Sequence, residues 1–198
     1  MTYTIRPMEL PDIPQVMIVD ELSFATPWSA RTYQFEINHR DTSHLLVVEE
    51  TPNASKQGGI GKLLQRLRGG EENGAVLGYG GFWLIAGEAH ISTIAVHPNA
   101  RGRSLGELLL VGMLQRAINL EAEYCVLEVR ESNANAKALY EKYEYNVVGK
   151  RKHYYRDNNE DALLMEIRPL DDDYQQRMQT RVAALRQRVA FDDQFSEV

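Results

Sequence analysis

Apolar positions along the chain switch between two periods, and the switches mark its elements. Tyr3 to Arg6 alternates and reads as a first strand. After Pro11 and Pro14, residues 15–24 carry apolar side chains at helical spacing. Pro27, Trp28 and Ser29 open a second short helix to about His39, since Pro and Ser suit a helix start. His44 to Val48 is a β-branched apolar run, the next strand. Strands resume at residues 75–86 and 89–97. Leucine-rich residues 105–120 form a helix that belongs against a sheet, because few of its faces are polar. Residues 124–130 read as a strand, 133–143 as a helix, and 145–149 with 161–167 as two closing strands. The order βααβ–loop–ββαβαββ predicts an α/β (α+β) fold, a mixed and mostly antiparallel sheet flanked by helices.

Two stretches stand apart. From Thr51 to Gly74, glycines surround a basic piece with Lys62, Arg66 and Arg68, a long loop inserted between strands. It could touch rRNA or anionic lipid, and a solvated loop is the simpler reading. From Asp171 onward, Met178, Val182, Leu185 and Val189 share one helical stripe, with acids leading and Arg181, Arg186 and Arg188 near the end. This predicts a terminal helix over 169–198, packed on its own domain (1–168) or on a second subunit, so monomer and homodimer both stay open.

Composition narrows the function. The formal net charge is −6, which argues against a protein that grips phosphate backbones and favours a basic partner. The single cysteine, Cys125, sits in an apolar strand and reads as inert. Neither a signal peptide nor an apolar run of membrane-spanning length is present, so the expected location is cytoplasmic, away from membranes. His39, His44, His90, His97 and His153 lack metal-ligand spacing and read as surface or capping residues; no metal is expected. Gly58 to Lys62 hints at a phosphate loop but lacks its spacing. Gly78, Gly80 and Gly81 fall inside a strand and mark a bulge or a close backbone approach.

Two segments carry chemistry. In the first, a strand ends at Val96, the chain turns at Pro98 and Asn99, and Arg101, Gly102, Arg103 and Ser104 lead directly into a helix. Free N–H groups at that helix start, with its dipole, suit a pyrophosphate, and Arg101 and Arg103 add charge. Alone, this is also an ordinary strand-to-helix turn. In the second, Cys125, Leu127 and Val129 take one strand face while Val126 and Glu128 take the other. A carboxylate inside such a strand is costly unless it is paired or works. Ser132 or Asn133 caps the following helix, and Asn133 and Tyr140 share one helix face two turns apart. Singly, Glu128 reads as a structural partner of Arg130 or Lys137, and Tyr140 as an interfacial tyrosine.

Together the two segments resemble the acetyl-CoA-binding core of the GNAT superfamily. Glu128 to Asn133, followed by Ala138, Leu139 and Tyr140, is similar to its RimI-type branch, the N-terminal-alanine acetyltransferases of a small-subunit ribosomal protein. Pro27, Trp28 and Ser29 resemble a feature of that branch. The likeness covers residues 2–168, apart from the 51–74 loop. It implies a GNAT fold and an acyltransferase with acetyl-CoA as cosubstrate. Ile94, Ala95 and Val96 would hold the pantetheine arm. Arg101, Gly102, Arg103, Ser104, Leu105, Gly106 and Glu107 would form the pyrophosphate loop, with Ser104 where the family has glycine. Asn133 would touch the cosubstrate, Glu128 would be the general base and Tyr140 the general acid. The implied partner is a protein N-terminus, with no direct nucleic acid contact.

The chemistry suits an α-amine, which is partly protonated at neutral pH and must lose a proton before it attacks a thioester. A backbone N–H around Ala95 or Val96 would face the developing oxyanion. His153, Tyr154 and Tyr155 are candidates for the acceptor channel. Rival readings are a lysine, polyamine or small-metabolite acetyltransferase, an inactive CoA-binding sensor, and a toxin acting on charged tRNA. The acidic net charge weighs against the last.

Overall fold

The computed structural model describes residues 1–51 and 74–197, so the basic insertion and its Gly58 to Lys62 run lie outside the described residues. The elements are β1 (Thr2–Pro7), α1 (Ile13–Glu21), α2 (Ala30–Asn38), β2 (Ser43–Glu50), β3 (Val76–Ile85), β4 (Glu88–Val96), α3 (Leu105–Asn119), β5 (Tyr124–Arg130), α4 (Ala134–Lys142), β6 (Asn146–Tyr155), β7 (Glu160–Ile167), α5 (Asp172–Arg188) and β8 (Ala190–Asp193). All eight strands join one sheet in the order β6-β7-β5-β4-β3-β2-β1-β8. Neighbours are antiparallel except β4 with β5 and β1 with β8.

Local chemistry sets the helix starts. The Ser29 hydroxyl accepts from the Thr32 N–H at 3.1 Å, and the Asn133 and Asp171 side chains cap α4 and α5 the same way. The sheet buries apolar side chains on both faces. On one face lie α3, α4 and α5, with Leu46, Phe82, Leu109, Leu127, Tyr140, Met178 and Leu185 in a single cluster. On the other lie α1 and α2, with Val16, Val19, Tyr33, Val47 and Tyr79. The expected stripe of Met178, Val182, Leu185 and Val189 is buried against this same domain.

Two elements differ from the sequence expectation. β6 runs on to Tyr155, far past residue 149. It is an edge strand exposed along nearly its whole length, so its basic run Lys150 to Lys152 shows no inward alternation to read. The C-terminal segment also adds a strand beyond its helix. β8 pairs in parallel with β1, Thr2 opposite Ala190 through Ile5 opposite Asp193, and covers what would be an open sheet edge.

The glycines of β3 mark both of the features expected of them. The register with β4 slips between Gly81 and Phe82, so Gly81 faces Thr93 while Phe82 faces Ile91 and Ser92 is the extra residue. At Gly78 a Cβ would lie 2.7 Å from the Ala95 carbonyl oxygen, a backbone atom that cannot swing away. Gly78→Ala is therefore expected to destabilise the fold by about 1–3 kcal/mol, read as a lower urea midpoint at unchanged slope.

Candidate active site

β4 pairs with β5 only from Glu88 opposite Tyr124 to Ile91 opposite Leu127. Beyond the Ser92 bulge the strands part: β4 continues to Val96 along β3, and β5 continues to Arg130 along β7. In the antiparallel register His97 bonds Leu77 of β3, so Ala95, two residues earlier, likewise turns its N–H and C=O to Tyr79 of β3. Ile94 and Val96 turn theirs toward the gap, where among the described residues no strand meets them, which suits an extended ligand. Of the three residues expected to hold the pantetheine arm, Ile94 and Val96 therefore offer backbone groups to the gap and Ala95 does not.

The chain then turns through Pro98–Ala100 into the loop 101–104 and α3. Gly102 has φ +77° and Ser104 φ +59°, both in the left-handed region. That region suits glycine and strains a serine, which is the physical content of the departure at Ser104. Its hydroxyl does not cap α3; it accepts from Arg188 at 3.2 Å. The first-turn N–H groups of Leu105, Gly106 and Glu107 have no carbonyl one turn earlier to bond, which makes an anion cradle. Arg101 donates to the Val96 carbonyl at 3.3 Å and Arg103 to the Asn99 carbonyl at 3.1 Å. Neither forms an ion pair among the described residues, so their charge stays available to a diphosphate. Nothing stands within 4 Å of where a Gly102 side chain would be, so the loop is open. The residues present thus fit a phosphate-bearing ligand that runs from the α3 N-terminus into the gap between β4 and β5.

Glu107 lies in this stretch, but its side chain is already taken up by partners within the protein. It is 8% exposed and accepts from Lys142 (2.5 Å), Tyr143 (2.8 Å) and Arg188 (3.0 Å). Burial alone would raise its pKa; the bonds from Lys142, Arg188 and Tyr143 instead hold it below the ordinary carboxylate value. Its carboxylate ties α3 to α4 and α5, and only its backbone is left for an anion. Asn133 is likewise committed: its side-chain oxygen accepts from Ala136 N–H at 3.2 Å, leaving its amide NH2 for other partners.

Glu128 occupies the β5 face that looks toward α1 and α2, beside the gap. Its side chain is 7% exposed, and its partners are not Arg130 or Lys137. Arg130 pairs with Asp157 and Glu160, and Lys137 donates to the Glu131 carbonyl. Instead His90 Nε2 lies 2.7 Å from Glu128 Oε2. Arg151 lies 3.0 Å from Oε1, close enough for ion pairing but outside hydrogen-bond alignment. The His90 bond lowers the Glu128 pKa against the opposing effect of burial, with Arg151 helping. The same bond raises the His90 pKa. The surface or capping reading fits His97, whose ring accepts from Asn99 N–H, but it fails for His90 and for His44, which is 7% exposed. β4 alternation could have flagged His90, since Ala89 and Ile91 face the other way into the core.

Tyr140 is 5% exposed in the cluster on the α3 face, so it approaches the sheet from the side opposite Glu128. Burial pushes its pKa well above the ordinary tyrosine value, and among the described residues its hydroxyl makes no hydrogen bond. It therefore stays protonated at neutral pH.

A network the sequence did not reveal shapes the face around Glu128. Asp20 of α1 is buried; it accepts from the Tyr79 hydroxyl and from Trp28 N–H, the latter at 2.6 Å. Tyr33 donates to the Tyr79 hydroxyl at 3.0 Å. Asp20 thereby pins the α1–α2 connection so that Trp28 stacks on Trp83 (centroids 6.3 Å, planes 7° apart). Trp83 meets His90 edge-on at 5.9 Å, giving an aromatic floor that leads to Glu128. Of the expected acceptor residues, Tyr154 is exposed, with Arg151 5.6 Å from its ring centroid. Tyr155 packs under Arg130, and His153 is held in the β6–β7 hairpin by Asp161 and Asn159.

A model of the acetyltransferase (GNAT) family matches residues 17–145. The chain belongs to the GNAT acetyltransferase family. It is an acetyl-transferring enzyme, and acetyl-CoA is the cosubstrate of this family. It is 34% identical over 163 residues to a putative [ribosomal protein bS18]-alanine N-acetyltransferase of Bacillus subtilis, covering 82% of this chain and 93% of that one. The [ribosomal protein bS18]-alanine N-acetyltransferase of Escherichia coli K12 is 29% identical over 166 residues, covering 83% and 96%. The crystal structure of the ribosomal-protein-S18-alanine N-acetyltransferase from Escherichia coli superposes with a TM-score of 0.66 at 25% identity, covering 85% of this chain and 94% of that one. Among the described residues no helix is long and apolar enough to cross a membrane, and no cluster of three or more potential metal ligands occurs.

The His90–Glu128 pair has a measurable signature. In the folded protein His90 should titrate above its ordinary 6.5, and Glu128→Gln should bring it back down, read from its ring signals by NMR. The stabilisation from this pair is lost as the pH rises from about 6.5 through the raised His90 value, and lost again in acid as the pH falls from the ordinary carboxylate range through the lowered Glu128 value, so it is greatest between the two.

Proposed function

We propose that this enzyme acetylates the N-terminal α-amine, on alanine, of a small-subunit ribosomal protein, and so works in the cytoplasm. The observation that carries the reading is the placement of Glu128. It is a buried, ionised carboxylate beside the gap where β4 leaves β5, on the face roofed by α1, α2 and the Trp28–Trp83–His90 aromatic floor. The names of the similar proteins supply the acceptor.

Bound acetyl-CoA would supply a thioester, an acyl group already activated for transfer. The chain does the rest. The loop 101–104 and the α3 N-terminus bind the diphosphate, and the unpaired β4 edge aligns the arm. An acceptor ammonium, with a pKa of about 7.7–8.0, gives its proton to Glu128 directly or through a water. His90 and Arg151 hold that carboxylate in place. The backbone N–H of Val96, which turns away from β3, offers a bond to negative charge developing on the acyl oxygen. On the other face, Tyr140 gives its proton to the departing sulfur, and the second proton that the nitrogen sheds as the amide forms returns through water to Tyr140, so the reaction releases one net proton, the one taken up at Glu128. The acidic chain also suits a basic ribosomal protein tail.

The test is release of free CoA with peptides beginning Ala, Ser or Met, an N-blocked lysine peptide and spermidine. Turnover on the free Ala terminus is expected, and Glu128→Gln should lower it about 10²- to 10⁴-fold while acetyl-CoA binding persists. Turnover confined to the lysine peptide or spermidine would overturn the acceptor. Wild-type-like turnover in Glu128→Gln would remove that residue from the reaction. Tyr140→Phe should lower turnover without weakening acetyl-CoA binding, and an unchanged rate would assign the leaving-group proton elsewhere.

A further inference from the structure

Ser104 stands immediately before α3, the position from which a serine ordinarily caps a helix, with extended backbone and its hydroxyl oxygen accepting from a first-turn N–H. Ser29 does this for α2, with φ −78° and ψ 155° and the 3.1 Å bond from the Thr32 N–H. Ser104 does not. Its backbone is left-handed (φ 59°, ψ 17°) and its side chain makes no cap bond. A capping hydroxyl would take the Gly106 or Glu107 N–H, both of which the anion cradle needs. The uncapped form leaves them to a ligand, at the cost of a conformation that serine adopts reluctantly.

The contact that offsets this cost comes from the far end of the chain. Arg188, the last residue of α5, donates from Nη1 to Ser104 Oγ at 3.2 Å. Its Nη2 donates to both oxygens of Glu107, each at 3.0 Å. Glu107 is buried and is held in turn by Lys142 and the Tyr143 hydroxyl, so the guanidinium is clamped. α5 itself is anchored by Tyr174 and Leu185 in the core and by β8 paired with β1. A fixed donor thus keeps the serine hydroxyl off the helix start.

We propose that Arg188 is a positioning residue for the cosubstrate site: it holds Ser104 in the left-handed, uncapped conformation that keeps the α3 N–H groups open to a diphosphate. This rests on the 101–104 loop being the diphosphate site. Because Arg188 acts through Ser104, its importance depends on the residue at 104. Glycine takes the left-handed region freely and has no hydroxyl to cap with, so it needs no such hold. Alanine also lacks the hydroxyl, but in that conformation it is strained with nothing to offset the strain.

The experiment measures CoA binding to the full chain by calorimetry, which needs no acceptor and so does not depend on the acceptor proposed above. Arg188→Met should weaken CoA binding about 5- to 10-fold. In a Ser104→Gly background the same change should cost less than about 2-fold. Ser104→Ala should bind CoA about 5-fold more weakly than Ser104→Gly. Neither substitution touches the Glu107 ties, so this comparison decides the question even if Arg188→Met does not fold. Equal losses from Arg188→Met in both backgrounds, or Ser104→Ala binding as tightly as Ser104→Gly, would overturn the inference. Arg101→Gln combined with Arg103→Gln tests the loop itself and should weaken CoA binding about 10-fold or more. Wild-type affinity in that double variant would overturn the loop reading and the inference with it. Weakened binding there, with no difference between alanine and glycine at 104, would overturn the role of Arg188 alone.

Discussion

The pairing of β4 with β5 ends at Ile91, and the placement of the whole candidate site follows from that loss. A sheet that parts in its middle exposes backbone groups that must find another partner. The Ser92 bulge starts the divergence, and the glycine-rich β3 lets β4 press close enough to follow it rather than β5. One edge of the gap is the backbone of Ile94 and Val96 that turns away from β3; the other is β5, with alternate residues pointing to opposite faces. Glu128 then looks toward α1 and α2, while Tyr140 approaches from the α3 side. In the proposed reaction Glu128 is the proton acceptor and Tyr140 the proton donor, reached from opposite faces of the sheet.

Two buried carboxylates show how context separates structure from chemistry. Glu107 is closed in by Lys142, Arg188 and the Tyr143 hydroxyl, three donors from two other parts of the chain. Removing a partner there would leave a buried charge unmet, so it acts as a tie between helices. Glu128 has one hydrogen bond from an imidazole that can itself titrate, and a guanidinium nearby on an exposed edge strand. That looser set keeps it ionised while leaving it able to take a proton.

The C-terminal segment belongs to this arrangement. α5 buries Tyr174, Met178 and Leu185 in the same cluster as α3, and β8 closes the β1 edge. Arg188, at the end of α5, reaches both Glu107 and the Ser104 hydroxyl. Ser104 holds a left-handed conformation that serine adopts only at a cost, and the Arg188 contact helps to hold it there. The segment beyond the region of family likeness thus supports the loop expected to bind the diphosphate.

Much of this was written in local signals. Period-2 and period-3.6 patterns located nearly every element. The Arg101 to Gly106 loop before an apolar helix, with a carboxylate inside the Cys125 to Val129 strand, carried the family resemblance, because backbone geometry and burial constrain those positions directly. What sequence could not carry were pairings set by distant parts of the chain. His90 meets Glu128 only because β4 and β5 are neighbours in register, and Arg151 joins them only because β6 extends past residue 149. Asp20 looked like one polar residue on an amphipathic helix until Tyr79, a residue of β3, was placed against it. Period and propensity act between neighbours along the chain, whereas a buried charge takes its role from whichever groups the fold brings within about 3 Å of it.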